Sequence, residues 1–391
     1  MIPNFYEFFC PTKIVSGIKS LSNLPYEIDQ LGAHRAMLVT DQGVVGAGLL
    51  KIAQAAFEGS NCVIAAIFDK TPVDSSSDVC NQIAATYREN KCDCFVALGG
   101  GSVIDTTKGA NIVVSENAED LLKYQGFDRL RASMQPLIVI PTTSGTGSEV
   151  TLVAVIANVK INVKMSFSST KLYPNVAILD PRMLVTMPKK ITAATGMDAL
   201  THAIEAYYNL QKNPMSDAYA SAAIALIRDN LVKCVEDGSN ASARLAMANA
   251  ALMAGISFSN SLVGIIHGMA HAVGAIGHIA HGVANAILLP WGMEYNLDQR
   301  ADVIAELAPM LGVKASGTAM DQAKAAIQAV RDLNQKLHDL SGLPITLQEA
   351  GLKEDKFEEV AKAAINDGAM NYSPRDATIN EIIQILKKAY S

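Results

Sequence analysis

The sequence predicts an α/β N-terminal domain built on a parallel sheet, residues 1–187, followed by an all-α C-terminal domain, residues 188–391. Three observations carry this. In the first half, short apolar runs alternate with helical patterns, as buried parallel strands and their crossover helices do. Past Pro188 the strand-like runs vanish and alanine-rich helical patterns take over, which puts the break near Thr186 to Lys190. From Leu245 to Met293 there is no Asp, Glu, Lys or Arg, although charged residues make up 18% of the chain. At 391 residues the chain exceeds what one compact core organises, so two domains are expected.

The elements follow in order. Ala36 to Thr40 (AMLVT) reads as a buried strand ending in Asp41-Gln42-Gly43, and Cys62 to Phe68 as a second. Asp74 to Ser77 is a helix-capping run, polar side chains being suited to accept the first free N–H groups of the helix after it. Cys94 to Leu98 (CFVAL) and Leu137 to Pro141 (LIVIP) are further strands, each running into a polar loop. The last helix, roughly Thr378 to Ala389, carries Ile379, Ile382, Ile383 and Leu386 on one face.

Composition narrows the function. Net charge is −6, so there is no basic surplus to neutralise phosphates, and nucleic-acid binding is not expected. The six cysteines are scattered without zinc-ribbon or C-x-x-C spacing and read as free thiols of a reducing compartment. The start, MIPNFYEFFCPTK, has neither the basic opening nor the apolar core of a signal peptide, and a cytoplasmic location is expected. The uncharged stretch is interrupted by Asn249, Ser257, Ser259, Asn260, Ser261 and histidines. It reads as a buried helical layer rather than a membrane span.

Two loops look built for a phosphate. Gly99-Gly100-Gly101-Ser102 follows a strand directly and opens a helix, where backbone N–H groups and the helix dipole favour an anion. It is not G-x-G-x-x-G, so the ordinary dinucleotide fingerprint is absent, but the layout is Rossmann-like. After the LIVIP strand, Thr142-Thr143-Ser144-Gly145-Thr146-Gly147-Ser148 offers five hydroxyls suited to a pyrophosphate and ribose. Asp41, also at a strand end, is suited either to capping a helix or to bonding a ribose hydroxyl. In the second role it would repel a 2′-phosphate and favour NAD over NADP.

The C-terminal half gathers metal-ligand chemistry. Asp198 and His202 are four residues apart and share a helical face in apolar surroundings. Four of the seven histidines (His267, His271, His278 and His281) fall within HGMAHAVGAIGHIAHG. Spacing alone does not say which of these four join Asp198 and His202. One carboxylate with imidazoles and no thiolate suits Fe(II), Zn(II), Mn(II) or Co(II) in an open site rather than a structural zinc site. His34 and His338 have nothing near them in sequence to recruit them.

Taken together, GGGSVID, TTSGTGSE, ATGMDALTHAIEAY, HGMAHAVG and HGVANAILLP resemble, in order and spacing, the iron-dependent (group III) alcohol dehydrogenases. The resemblance spans essentially the whole chain. It implies metal ligands Asp198, His202, His267 and His281, with His271 beside the metal, not ligating it, near substrate and nicotinamide. It also implies that Gly99, Gly100, Gly101, Ser102, Thr142, Thr143 and Thr146 hold the dinucleotide, with Asp41 on the adenosine ribose and Lys164 near the nicotinamide ribose. The implied cofactors are Fe²⁺, with Zn²⁺ or another divalent metal as a substitute, and NAD(H) in preference to NADP(H). The implied reaction interconverts a small primary alcohol and its aldehyde, in a homodimer or larger homo-oligomer. The alternative on the same layout is a glycerol-dehydrogenase-like zinc enzyme or one resembling dehydroquinate synthase. A nucleotide- or metal-sensing protein is the non-catalytic rival. The chain departs from the usual pattern at Ala280, where the family commonly has proline, and at His278, an additional imidazole.

Overall fold

The computed structural model describes residues 3–73, 75–158 and 163–391, the side chain of Val163 excepted. The chain divides into two compact units, Cys10–Met187 and Pro188–Ser391, the second including the N-terminal residues through Phe9.

Among the described residues the first unit holds nine strands: β1 (Lys13–Ser16), β2 (Arg35–Val39), β3 (Val63–Phe68), β4 (Cys94–Gly99), β5 (Gly126–Phe127), β6 (Leu137–Pro141), β7 (Val153–Asn158), β8 (Val163–Ser168) and β9 (Val176–Leu179). Six of them form a sheet in the order β1-β9-β6-β4-β2-β3, every pairing parallel. The two central strands β4 and β6 are buried along their whole length, which is why CFVAL and LIVIP are continuous apolar runs rather than alternating ones. The strands expected at Ala36, Cys62, Cys94 and Leu137 are β2, β3, β4 and β6, while β1 and β9 extend the sheet beyond that reading. A smaller sheet, β5-β8-β7, is mixed: β7 and β8 run antiparallel and β5 pairs parallel with β8.

Helix α1 (Ser77–Glu89) precedes β4, and α2 (Gly101–Ser115) follows it. The capping run behaves differently from its expectation. Ser76 is the N-cap of α1, but its side chain makes no capping bond, and Asp74 lies outside the described residues.

In the second unit no strand occurs among the described residues. Its helices include α3 (Lys189–Tyr208), α4 (Pro214–Glu236), α5 (Ala241–Ser261), α6 (Ile265–Gly277), α7 (His281–Tyr295), α8 (Ala319–Ser341) and α9 (Ile379–Lys388). Helices α3, α4 and α5 pack on one another, and α7 packs on α3, α6 and α8. The uncharged stretch is now explained: it forms α5, α6 and most of α7, and contributes a large share of this unit's core. Among the described residues no single helix is long and apolar enough to cross a membrane. Helices α5 and α6 pass such a test only jointly, and they are bent by 107° at the break between them. The last helix begins after Thr378, which with Glu381 forms a reciprocal capping box.

Candidate functional site

In the α/β unit the two polar loops touch. A Cβ added at Gly101 would lie 2.8 Å from Thr146 Cγ2, and one at Gly100 would lie 3.2 Å from Thr143 Oγ1. At Gly101 a side chain would force Thr146 to shift, since real Cβ atoms essentially never come within 3.0 Å of a neighbour, and at Gly100 the fit would be tight. Gly100 is the N-cap of α2 and offers no side chain, so the first N–H groups of this helix are left for another acceptor. Thr142 N–H bonds Gly99 carbonyl at 3.0 Å, tying the strand ends together. Ser102 donates its hydroxyl to Val73 carbonyl. Asp41 is a helix cap in this structure: its Oδ1 accepts Val44 N–H at 2.9 Å at the start of the short helix Gln42–Gly46. Lys164, exposed on β8, is one of the charges that offset the burial of Asp105; burial raises that carboxyl, and Lys108 is the larger opposing charge.

In the helical unit Asp198 and His202 lie one turn apart on α3, His267 is in the first turn of α6, and His281 opens α7. One ligand atom from each lies within 4.8 Å of the others. Asp198, His202 and His267 are buried, and His281 is partly exposed. A cation bound at about 2.0–2.2 Å keeps its ligand atoms within roughly 4.4 Å of one another, so the cluster is close to the size a shared ion needs.

Several rings stack around this point. His202 stacks on Phe258 at 4.3 Å and on His267 at 4.5 Å between centroids. His271 stacks on His281 at 5.3 Å but does not join the four-residue cluster. His278 is elsewhere in role: it sits exposed at φ 52° and ψ 34°, the left-handed residue that ends α6 before α7 begins.

Glu205 organises the cluster, and the sequence reading passed it over. It lies fully buried on α3, three residues after His202, and its Oε2 is 2.5 Å from His267 Nδ1. The same carboxylate accepts N–H groups of Ile266 at 2.9 Å and His267 at 3.3 Å at the start of α6. Burial pushes the Glu205 carboxyl up to about 7, against the pull of the Ile266, Gly264 and His267 N–H groups. Burial, then the neighbouring His202, His281 and His271, holds His267 well below the usual imidazole range, so its ring is neutral. With Nδ1–H given to Glu205, the Nε2 lone pair of His267 faces the cluster.

Asn285, one turn after His281, is the second residue passed over. Its Nδ2 donates to Asp198 Oδ1 at 2.7 Å and lies 3.2 Å from His267 Nε2 and 3.1 Å from His281 Nε2. Its buried Oδ1 has no hydrogen-bond partner among the described residues. A carboxylate and imidazole nitrogens thus converge on one amide NH₂, and a divalent cation answers that surplus of lone pairs. The donor set fits the metal the sequence suggested. Both Glu205 and Asn285 fall on helical spacing from a candidate ligand, which is the signal that was available for them.

Two family models match the chain. One described as iron-containing alcohol dehydrogenase covers residues 11–181, and one described as the C-terminal part of the Fe-containing alcohol dehydrogenase family covers residues 192–390. The chain is 37% identical to the NAD-dependent methanol dehydrogenase of Bacillus methanolicus, over 98% of this chain and 99% of that one. It is 36% identical to a 1,3-propanediol dehydrogenase of Klebsiella pneumoniae (98% and 99%) and 33% identical to lactaldehyde reductase of Escherichia coli strain K12 (96% and 97%). A crystal structure of a 1,3-propanediol oxidoreductase superposes with a TM-score of 0.95 at 36% identity, covering 99% of this chain and 100% of the other.

Proposed function

The chain belongs to the iron-containing alcohol dehydrogenase family, and from that premise we propose that it interconverts a small primary alcohol and its aldehyde with NAD(H), using Asp198, His202, His267 and His281 to hold a divalent metal. The observation that carries the ligand assignment is the convergence of those four side chains, with His267 turned by Glu205 so that Nε2 faces the others. Iron held there, or zinc in its place, supplies Lewis-acid polarisation of the alcohol or carbonyl oxygen.

The remaining steps belong to the chain. In the oxidising direction the alcohol loses its hydroxyl proton and a hydride, giving aldehyde, NADH and a released proton. His271 is the proton acceptor: it is beside the four-residue cluster, uncommitted to it and 43% exposed at its side chain. Gly99, Gly100, Gly101, Ser102, Thr142, Thr143 and Thr146 hold the dinucleotide. The close approach of Gly100 and Gly101 to Thr143 and Thr146, and the uncapped start of α2, support this. Asp41 takes the adenosine ribose and disfavours NADP(H), and Lys164 lies near the nicotinamide ribose. The name of the methanol dehydrogenase relative supports NAD as the partner. The enzyme works in the cytoplasm as a homodimer or larger homo-oligomer, which light scattering on the purified chain tests.

The deciding experiment is anaerobic reconstitution with Fe(II) or Zn(II), followed by a panel of short alcohols and aldehydes with NAD(H) and NADP(H), read at the NADH absorbance band. Turnover with a short primary alcohol or its aldehyde is expected, greatest with NAD(H). Tight NADH binding without hydride transfer under either metal sinks the proposal.

A further inference from the structure

His271 has a partner that no family motif quoted above contains. Its Nδ1 lies 2.8 Å from Asp367 Oδ2, across 96 residues of sequence. Asp367 is itself held. It is the N-cap of the 3-10 turn Gly368–Tyr372, where its other oxygen, Oδ1, accepts Ala369 N–H at 2.8 Å. Its own N–H bonds Ala364 carbonyl at 2.9 Å. The turn packs on α6, where Met370 Sδ is so close to Gly268 that a Cβ there would meet it at 2.8 Å. The carboxylate therefore has little freedom to leave the imidazole.

The chemistry of the pair decides a tautomer. An ionised carboxylate only accepts, so the ring nitrogen facing it carries the hydrogen. That leaves Nε2 of a neutral His271 with its lone pair unprotonated and directed away from Asp367. The stacked ring of His281 at 5.3 Å limits rotation on one side of the imidazole. A base that must take a hydroxyl proton needs this tautomer and this orientation before the substrate arrives.

We propose that Asp367 is a positioning residue of the reaction: it holds His271 as the Nδ1–H tautomer and presents Nε2 to the substrate hydroxyl. This rests on the reading of His271 as the proton acceptor. Asp367 takes no proton itself and does not touch the substrate. Its second duty, capping the turn, is separable, because asparagine caps equally well through its carbonyl oxygen. In Asp367→Asn the amide NH₂ replaces an acceptor with a donor opposite Nδ1, which favours the other tautomer and places a hydrogen on Nε2.

The test uses full-length, metal-reconstituted enzyme carrying Asp367→Asn, Asp367→Glu or His271→Gln. Asp367→Asn is expected to lower kcat by about 10²–10⁴-fold, with KM, metal content and melting temperature close to those of the parent. Asp367→Glu restores the carboxylate and is expected to recover part of that loss. Nitrogen-15 NMR of the zinc-loaded protein is expected to show His271 with its hydrogen on Nδ1 in the parent and on Nε2 in Asp367→Asn. Unchanged kcat in Asp367→Asn, while His271→Gln is impaired, overturns the role of Asp367 and leaves His271 as the base. Unchanged kcat in His271→Gln overturns the base assignment itself and the proposal with it. Loss of kcat in Asp367→Asn in step with loss of metal or of folded protein reduces Asp367 to a turn cap and also overturns the proposal.

Discussion

Glu205 does two jobs with one carboxylate. It accepts the first N–H groups of α6, which would otherwise lack partners at a buried helix start, and it fixes the tautomer of His267. Glu205→Gln keeps an acceptor for the backbone but sets an amide NH₂ against a ring N–H. The expected outcome is a metal affinity lower by about 10–100-fold, measured by competition with a chelator, with near-native helicity by circular dichroism. Affinity equal to the parent's would show that α6 alone orients His267. Asn285 acts at the other nitrogen of His267, its NH₂ donating to Asp198 Oδ1 and lying close to Nε2 of both His267 and His281.

Helices α3, α6 and α7 bring the candidate ligands together through close packing. Gly282, the residue after His281, lies against the backbone of α3, and a Cβ added there would be 2.5 Å from Ala194 carbonyl oxygen. Backbone cannot swing aside as a side chain does, so Gly282→Ala must push α7 off α3 and carry His281 away from Asp198. Overpacking of this kind costs about 1–3 kcal/mol. Denaturant unfolding of the metal-free protein is expected to show that loss, and reconstituted Gly282→Ala is expected to hold substoichiometric metal. The turn between α6 and α7 explains the extra imidazole. His278 occupies a left-handed position that asparagine or glycine also fills well, and its side chain is exposed. It belongs to the chain reversal that allows His267 and His281, on successive helices, to face the same point.

At the scale of the whole molecule, the candidate metal ligands all come from the helical unit and the proposed phosphate loops from the α/β unit. A metal that binds only the folded helical unit stabilises it by mass action, by about 2.7 kcal/mol when free metal is 100 times Kd. Calorimetry is therefore expected to show a transition that rises with Fe(II) or Zn(II) and falls on chelation. In His202→Ala that dependence is expected to vanish. A metal-dependent shift that survives His202→Ala places the ion elsewhere.

The sequence alone determined what depends on neighbours a few residues apart. Buried strands such as CFVAL, the apolar face of the last helix, and the pairing of Asp198 with His202 on one helical face all follow from local periodicity. Motif order identified the family, and with it the expected ligands among four similar histidines. Other features only the tertiary structure decided. The strands β1 and β9 are four residues each, too short to stand out from their surroundings, and β9 is recognisable through its register with β1 and β6. Asp41 proved to bond a backbone N–H of its own turn, a contact equally open to a ribose-binding aspartate. Glu205 and Asn285 had helical spacing in their favour but no partner visible in the chain order. Asp367 had neither, because its meeting with His271 is made by a turn packed on a helix 96 residues away. Local pattern sets which residues share a face; long-range packing sets which faces meet.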